Sequence, residues 1–270
     1  MSAGEAVPEE RRTLVALGGG GFTMEPDNPA LDDFVLGLSQ AQAPRILFLP
    51  TASGDPAGQI NAFRARFGGR NDCEAAHLSL FNLHDSTRTL DEVVRGQDVI
   101  YAGGGSMRNL LAIWRAHGLD RLLVEAWERG TVLAGISAGA MCWFEGGVTK
   151  SSGPPEPIAG LGVLPGSLSV HADGEPERLP IWLDAVRRGA LPGGWAADDG
   201  CALLFRGRRF DRAVSSRPGA SALRVDAVEG ELVRQRIEAE LLGERDPGAG
   251  VPSDDIIELR QVQRLRGGRR

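Results

Sequence analysis

Five short, mostly apolar runs, Thr13–Leu17, Arg45–Leu49, Ala75–Leu80, Asp98–Tyr101 and Thr131–Ala134, alternate with stretches of helical periodicity. Strands that stay apolar without alternation are buried on both faces, and helices between them supply the cover. The pattern therefore predicts an α/β fold with a mainly parallel central sheet flanked by helices. The helices fall near Ala30–Gln40, Pro56–Phe67, Leu90–Arg95 and Met107–Arg129, the last with a break at Gly118. Beyond residue 137 the pattern changes. A Gly/Pro-rich loop from Gly146 to Gly160 leads to a strand at Ser167–Val170 and a helix near Pro176–Arg188. Short strands follow at Trp195–Ala197, Cys201–Phe205, Arg212–Ser215 and Ala222–Val225, and the short turns between the last three predict a C-terminal antiparallel extension of the sheet.

No linker-like stretch divides the 270 residues, so a single domain over residues 13–266 is expected, preceded by a disordered tail at residues 1–12. That tail is polar and carries Glu5, Glu9 and Glu10, unlike a secretory leader, so cytoplasmic residence is expected. With 42% hydrophobic and 24% charged residues and no apolar run of membrane length, a membrane association is not expected. A net charge of −6 argues against a nucleic-acid footprint, and Arg260, Arg264, Arg266, Arg269 and Arg270 read as a solvated helix and a frayed tail. Cys73, Cys142 and Cys201 are odd in number and widely spaced, which suits core thiols rather than a disulfide framework or a metal site.

Several predicted strands end in small or turn-forming residues: Gly18-Gly19-Gly20-Gly21, Pro50-Thr51-Ala52-Ser53, Gly103-Gly104-Gly105-Ser106 and Gly135-Ile136-Ser137-Ala138-Gly139. In a doubly wound sheet these carboxyl ends line one edge, where ligands bind. The Gly-x-Ser-x-Gly segment lies between the apolar run ending at Ala134 and the helix-prone Ala140–Phe144. A tight strand-to-helix turn of this kind lifts a Ser hydroxyl out of the sheet and aims the first helical amides at the same point, the position of a nucleophile. The same segment read structurally is a βα turn with Ser137 as an N-cap. Neither glycine run completes a P-loop or a dinucleotide fingerprint.

A Ser nucleophile needs a base, usually His held by a third group. Of four histidines, His77 sits within a strand pattern, His84 follows it, and His117 lies on an amphipathic helix. His171 follows a strand end and opens a polar loop, the same kind of position as Ser137, and is the candidate base. For the acid, Glu145 would stand about 12 Å along the elbow helix from Ser137, a poor approach. Asp173, Glu175, Asp198 and Asp199 are further candidates. Glu156, in a loop able to reach back, is the choice. The Ala138 amide and the Gly104 backbone are the candidate donors to an oxyanion. No metal and no cofactor is expected.

Tyr101-Ala102-Gly103-Gly104-Gly105-Ser106, the elbow Gly135–Ala140 and the later His171 together resemble peptidase family S51, which includes peptidase E (aspartyl dipeptidase) and cyanophycinase. The resemblance spans roughly residues 14–225. It implies a class I glutamine amidotransferase-like, flavodoxin-like fold with Ser in place of the nucleophilic Cys. It also implies hydrolysis of short peptides at aspartyl residues, or of β-aspartyl bonds as in cyanophycinase. The partner implied is a small peptide substrate, and a homodimer is allowed. Two departures stand out. The loop after the elbow reads Val148-Thr149-Lys150-Ser151-Ser152-Gly153, with no carboxylate before Glu156. No Arg matches the family's substrate-carboxylate anchor outright, Arg178 and Arg187 being candidates by proximity to His171. A binding protein that keeps the fold without catalysis is therefore the reading from another class.

Overall fold

The computed structural model describes residues 6–83 and 87–243. The first half alternates strand and helix: β1 (Thr13–Leu17), α1 (Gly21–Met24), α2 (Ala30–Gly37), β2 (Arg45–Leu49), α3 (Ala57–Phe67), β3 (Glu74–His77), α4 (Leu90–Arg95), β4 (Val99–Ala102), α5 (Met107–His117), α6 (Leu119–Glu128) and β5 (Val132–Ile136). The second half is strand-rich: α7 (Ala138–Met141), β6 (Phe144–Thr149), β7 (Glu156–Ala159), β8 (Leu164–Ser169), α8 (Arg178–Arg187), β9 (Gly194–Ala197), β10 (Cys201–Arg206), β11 (Arg209–Ser215), β12 (Ser221–Val228), β13 (Glu231–Glu238) and β14 (Glu240–Leu241).

Two sheets result. The larger has the order β14-β11-β10-β1-β5-β4-β2-β3, in which β1 to β5 are mutually parallel and β10 and β11 extend it antiparallel beyond β1. β1 is buried along its whole length because successive side chains enter opposite cores. Leu14 and Ala16 join Trp114, Trp127 and Leu133 on one face, while Val15 and Leu17 join Phe22, Phe48, Phe63 and Tyr101 on the other. Helices α5 and α6 meet at Gly118, whose φ of +69° ends one helix and starts the next. A capping box at Thr89 and Glu92 begins α4. Cys73, Cys142 and Cys201 are buried as free thiols. Among the described residues no helix is long and apolar enough to cross a membrane.

The second sheet, order β13-β12-β9-β8-β6-β7, corrects several expectations. The antiparallel C-terminal part is present but divided, with β10 and β11 in the first sheet and β12 and β13 in the second. The Gly/Pro-rich segment from Gly146 to Gly160 is largely an antiparallel pair, β6 with β7, rather than a loop. The elbow helix ends at Met141, so Glu145 is not on it; Glu145 lies in β6, where its Oε2 accepts from the Gly166 amide at 2.9 Å. Phe144 is buried in that strand, and sheet pairing there outweighs helix propensity. Strand β13 has no signal in the sequence, because its charged residues Glu231, Arg234, Arg236 and Glu238 are exposed and give no apolar run. Residues 6–12, expected as a disordered tail, are docked. The Val7 amide donates to Glu128 O at 2.9 Å, and the Arg12 guanidinium lies 5.4 Å from the Trp127 ring centre. His84, residues 1–5 of the tail, residues 244–266 of the expected domain and the Arg-rich C-terminal segment lie outside the described residues.

Asp32, on α2, is fully buried with Arg66 Nε 3.1 Å from its Oδ2. Burial pushes its carboxyl from 3.8 up to about 7, against the lowering effects of the Phe22 amide and Arg66. Between those two values the folded chain keeps a proton that the unfolded chain has released, so this group's contribution to stability is full below 3.8 and is lost as pH rises through about 7. Asp32→Asn is therefore expected to gain about 2–4 kcal/mol relative to the wild type between pH 4 and pH 8, measured by urea unfolding at both values. Parallel pH dependences in the two proteins would contradict this assignment.

Candidate active site

β5 turns into α7 at Ser137, whose φ of +54° and ψ of −117° lie outside the regions most non-glycine residues adopt. The turn is tight because its flanks have no side chains. A Cβ on Gly135 would stand 2.0 Å from Gly139 O, and one on Gly139 would stand 2.3 Å from Ala102 O. The hydroxyl is thereby presented at the carboxyl edge of the sheet, between the ends of β1 and β4.

His171 reaches the same point from the second sheet, two residues beyond β8. Its amide donates to Gly18 O at 3.2 Å and that of Ala172 to Ala197 O at 3.1 Å, which ties the end of β8 to the turn after β1 and to β9. His171 Nε2 lies 3.0 Å from Ser137 Oγ, and its Nδ1 lies 2.5 Å from Asp199 Oδ1. Both side chains are largely shielded from solvent, 13% and 17% exposed. A carboxylate at Nδ1 fixes the tautomer that leaves Nε2 free to accept a proton from the hydroxyl.

Asp199 arrives through strand direction. β10 runs antiparallel to β1, so it begins at the edge where β1 ends, with Leu17 opposite Ala202. The turn from β9 to β10 is consequently laid beside the first glycine run, Gly18 N donating to Cys201 O at 2.9 Å and Gly200 N to Gly19 O at 3.1 Å. Space for the carboxylate is made by Gly19, where a Cβ would fall 1.8 Å from Asp199 Oδ1 and 2.9 Å from His171 Nδ1. The neighbouring acids have other tasks. Asp198 Oδ2 accepts from the Ser221 amide and hydroxyl, while Asp173 Oδ1 accepts from the Asp199 amide and its Oδ2 pairs with Arg217.

Glu156, the acid chosen from sequence, is not at His171. It stands on the edge strand β7 and pairs with Arg108 Nη2 at 2.7 Å, 44% exposed. Sequence distance suggested a loop reaching back; the pairing of Thr149 with Glu156 instead holds this residue along β6. Gly104 is placed against the elbow, a Cβ there meeting Ser137 Cβ at 3.3 Å, and Ala138 is the buried first residue of α7. No hydrogen bond among the described residues uses either amide. Cys142 is wholly buried, its thiol pushed up by that burial, with Sγ donating to Gly139 O at 3.2 Å. It presents no thiolate at the edge.

A cavity of about 260 Å3 opens beside Ser137, lined by Ser106, Met141, Lys150, Ser151 and Arg178 among others. Arg178 is buried in its wall. Its Nη1 donates to Val148 O at 2.7 Å, and Nε and Nη2 donate to Glu175 at 3.0–3.2 Å. Lys150 Nζ lies 3.6 Å from the same carboxylate. Burial pushes Glu175 up, but the cations Arg178 and Lys150 outweigh it and hold the carboxyl below its ordinary value. Lys150 Nζ also lies 3.9 Å from Glu177, so the two cations of the cavity lining face two carboxylates that stand outside it. Arg187 takes no part, pairing with Asp184 on the exposed side of α8. Among the described residues no group of three or more His, Cys, Asp or Glu side chains could hold a metal ion.

Residues 14–213 match the profile of Peptidase family S51. The chain belongs to peptidase family S51. A curated relative of similar length, the uncharacterized peptidase YgaJ of Bacillus subtilis (strain 168), is 48% identical over 232 residues, covering 86% of this chain and all of the relative. Among solved structures, a peptidase from an acI-B1 Actinobacterium superposes with a TM-score of 0.64 at 21% identity, covering 87% of this chain and 96% of that one. A putative peptidase E protein from Listeria monocytogenes EGD-e gives a TM-score of 0.53 at 18% identity, covering 84% and 99%. At such identities the two structures speak for the fold alone, the α/β architecture expected from sequence.

Proposed function

We propose that this S51 peptidase is a serine peptidase acting on short peptides, with Ser137 as nucleophile, His171 as general base and Asp199 as the group that orients it. The observation that carries the reading is the continuous chain from Ser137 Oγ through both His171 nitrogens to Asp199, at 3.0 and 2.5 Å. His171 Nε2 takes the hydroxyl proton as Oγ attacks the peptide carbonyl, and Asp199 steadies the imidazolium through Nδ1–H. The oxyanion is held by the Ala138 amide at the start of α7 and by the Gly104 amide, both without a partner among the described residues. His171 then gives its proton to the departing amine, and water attacks the acyl-enzyme by the reverse sequence.

The cavity beside Ser137 favours a substrate carboxylate, because Lys150 and Arg178 are among its lining residues and no acidic side chain among the described residues is. An aspartyl residue before the scissile bond is the substrate group proposed. Asp199 at His171 Nδ1 supports catalysis over a non-catalytic binding protein on the same fold, because it supplies the carboxylate that the loop after the elbow lacks.

A fluorophosphonate probe tests the nucleophile and a peptide panel tests the cavity. Stoichiometric labelling at Ser137, located by mass spectrometry, is expected. With Asp-Leu, Asn-Leu and β-Asp-Arg as substrates, kcat/KM for Asp-Leu is expected to exceed that for Asn-Leu by about tenfold or more, the worth of one charge-assisted contact. Folded protein that takes no label would sink the serine mechanism. Faster cleavage of β-Asp-Arg than of Asp-Leu would move the substrate class to β-aspartyl peptides.

A further inference from the structure

A cavity of about 720 Å3 lies at the other end of the parallel sheet from Ser137. It is bounded by the starts of β1, β2 and β5, the end of β10, and the segments following α2, α4 and α6. Five arginines line it, Arg11, Arg45, Arg95, Arg129 and Arg206, against two acids, Glu10 and Asp98. This concentration occurs in a chain of net charge −6.

Ion pairing accounts for only some of these cations. Arg45 is held by Asp98 at 3.3 Å and Arg95 by Asp91 at 2.5 Å, while Arg206 reaches Thr13 Oγ1 at 2.6 Å and Asp211 at 3.9 Å. Arg11 has no side-chain partner among the described residues. Arg129 touches Glu125 through Nη1 at a long 3.5 Å, and its Nη2 is enclosed with no hydrogen-bond partner among the described residues. Arg129, 20% exposed where it lines the cavity, makes only that one long side-chain contact, so its guanidinium keeps donors for an acceptor supplied from outside the chain. Helix dipoles explain why Arg95 ends α4 and Arg129 follows α6. They do not explain why Arg11, Arg45 and Arg206, from a 3-10 turn and two strands, converge on the same cavity.

We propose that this cavity binds a small polyanion, a molecule carrying two or more phosphate or carboxylate groups, with Arg129 and Arg11 as its principal contacts. The guanidinium fork suits bidentate contact with such oxyanions, and the volume exceeds what one inorganic ion fills. A strand of five residues spans about 17 Å, so the bound anion is separated from Ser137 by the thickness of the sheet edge to edge. The site is distinct from the substrate cavity, and its fate is independent of the serine mechanism.

Isothermal titration of the full chain with pyrophosphate, citrate and inorganic phosphate tests the proposal. Saturable one-to-one binding of pyrophosphate or citrate is expected, at least tenfold tighter than inorganic phosphate, and the preferred probe tells phosphate from carboxylate chemistry. Arg129→Gln and, separately, the more exposed Arg11→Gln should each weaken that binding about tenfold while peptide turnover stays unchanged. Protein labelled at Ser137 or inhibited by a bound dipeptide should bind the probe equally well. Absence of saturable binding would overturn the proposal. So would binding that survives both substitutions, or binding lost when the Ser137 cavity is occupied.

Discussion

Ser137→Ala is expected to lower kcat on an aspartyl dipeptide by about 10⁴–10⁶-fold, with little change in thermal stability. Oγ is the atom that His171 Nε2 meets at 3.0 Å, and removing it leaves no group to form the acyl-enzyme. The fold tolerates the change because Ser137 already holds its positive φ with a side chain of Ala size at Cβ, and its hydroxyl caps no helical amide. What rate survives belongs to substrate binding and to the Ala138 and Gly104 amides. Steady-state turnover beside a melting curve decides the matter; a loss of less than tenfold in a folded variant would remove Ser137 from the nucleophile's role.

Asp199→Asn should cost about 10⁴-fold in kcat. An amide in place of the carboxylate can donate to Nδ1, which forces the proton onto Nε2 and leaves nothing to accept the hydroxyl proton. It also withdraws the negative charge that steadies the imidazolium. Glu156→Gln is the paired control. That side chain is 44% exposed on an edge strand and bound to Arg108, so turnover is expected to stay within about twofold. Equal losses in the two variants would contradict the assignment of Asp199, and a loss confined to Glu156→Gln would restore the acid first inferred from sequence. The pair of measurements is decisive because the two carboxylates sit in different sheets' turns and edges, with no shared partner among the described residues.

The parallel half of the molecule is legible because β1, β2, β4 and β5 are buried on both faces nearly throughout. β1, β2 and α4 begin and end where the sequence pattern places them, and the break between α5 and α6 falls at Gly118 as the sequence suggests. Legibility failed where burial no longer marked the strand. β13 shows solvent most of its length, and β7 carries Glu156 and Pro157, so neither produces the run of Val, Ile and Leu that announces a strand. The elbow helix was read too long for a related reason: Trp143 and Phe144 are as apolar in a buried strand as in a helix, and short apolar runs do not distinguish the two.

For the candidate site, local sequence determined the two residues whose positions depend on the ends of their own strands. Ser137 needs only β5, two flanking glycines and a following helix, and His171 needs only the end of β8. The acid depends on something no local pattern encodes. Asp199 belongs at His171 because β10 pairs antiparallel with β1, which returns the start of β10 to the edge where β1 ends, and because Gly19 leaves room there for a carboxylate. Pairing between strands almost two hundred residues apart is a long-range choice made by the packed sheet as a whole, so the tertiary structure alone decided between Asp199 and the other carboxylates that the sequence offered.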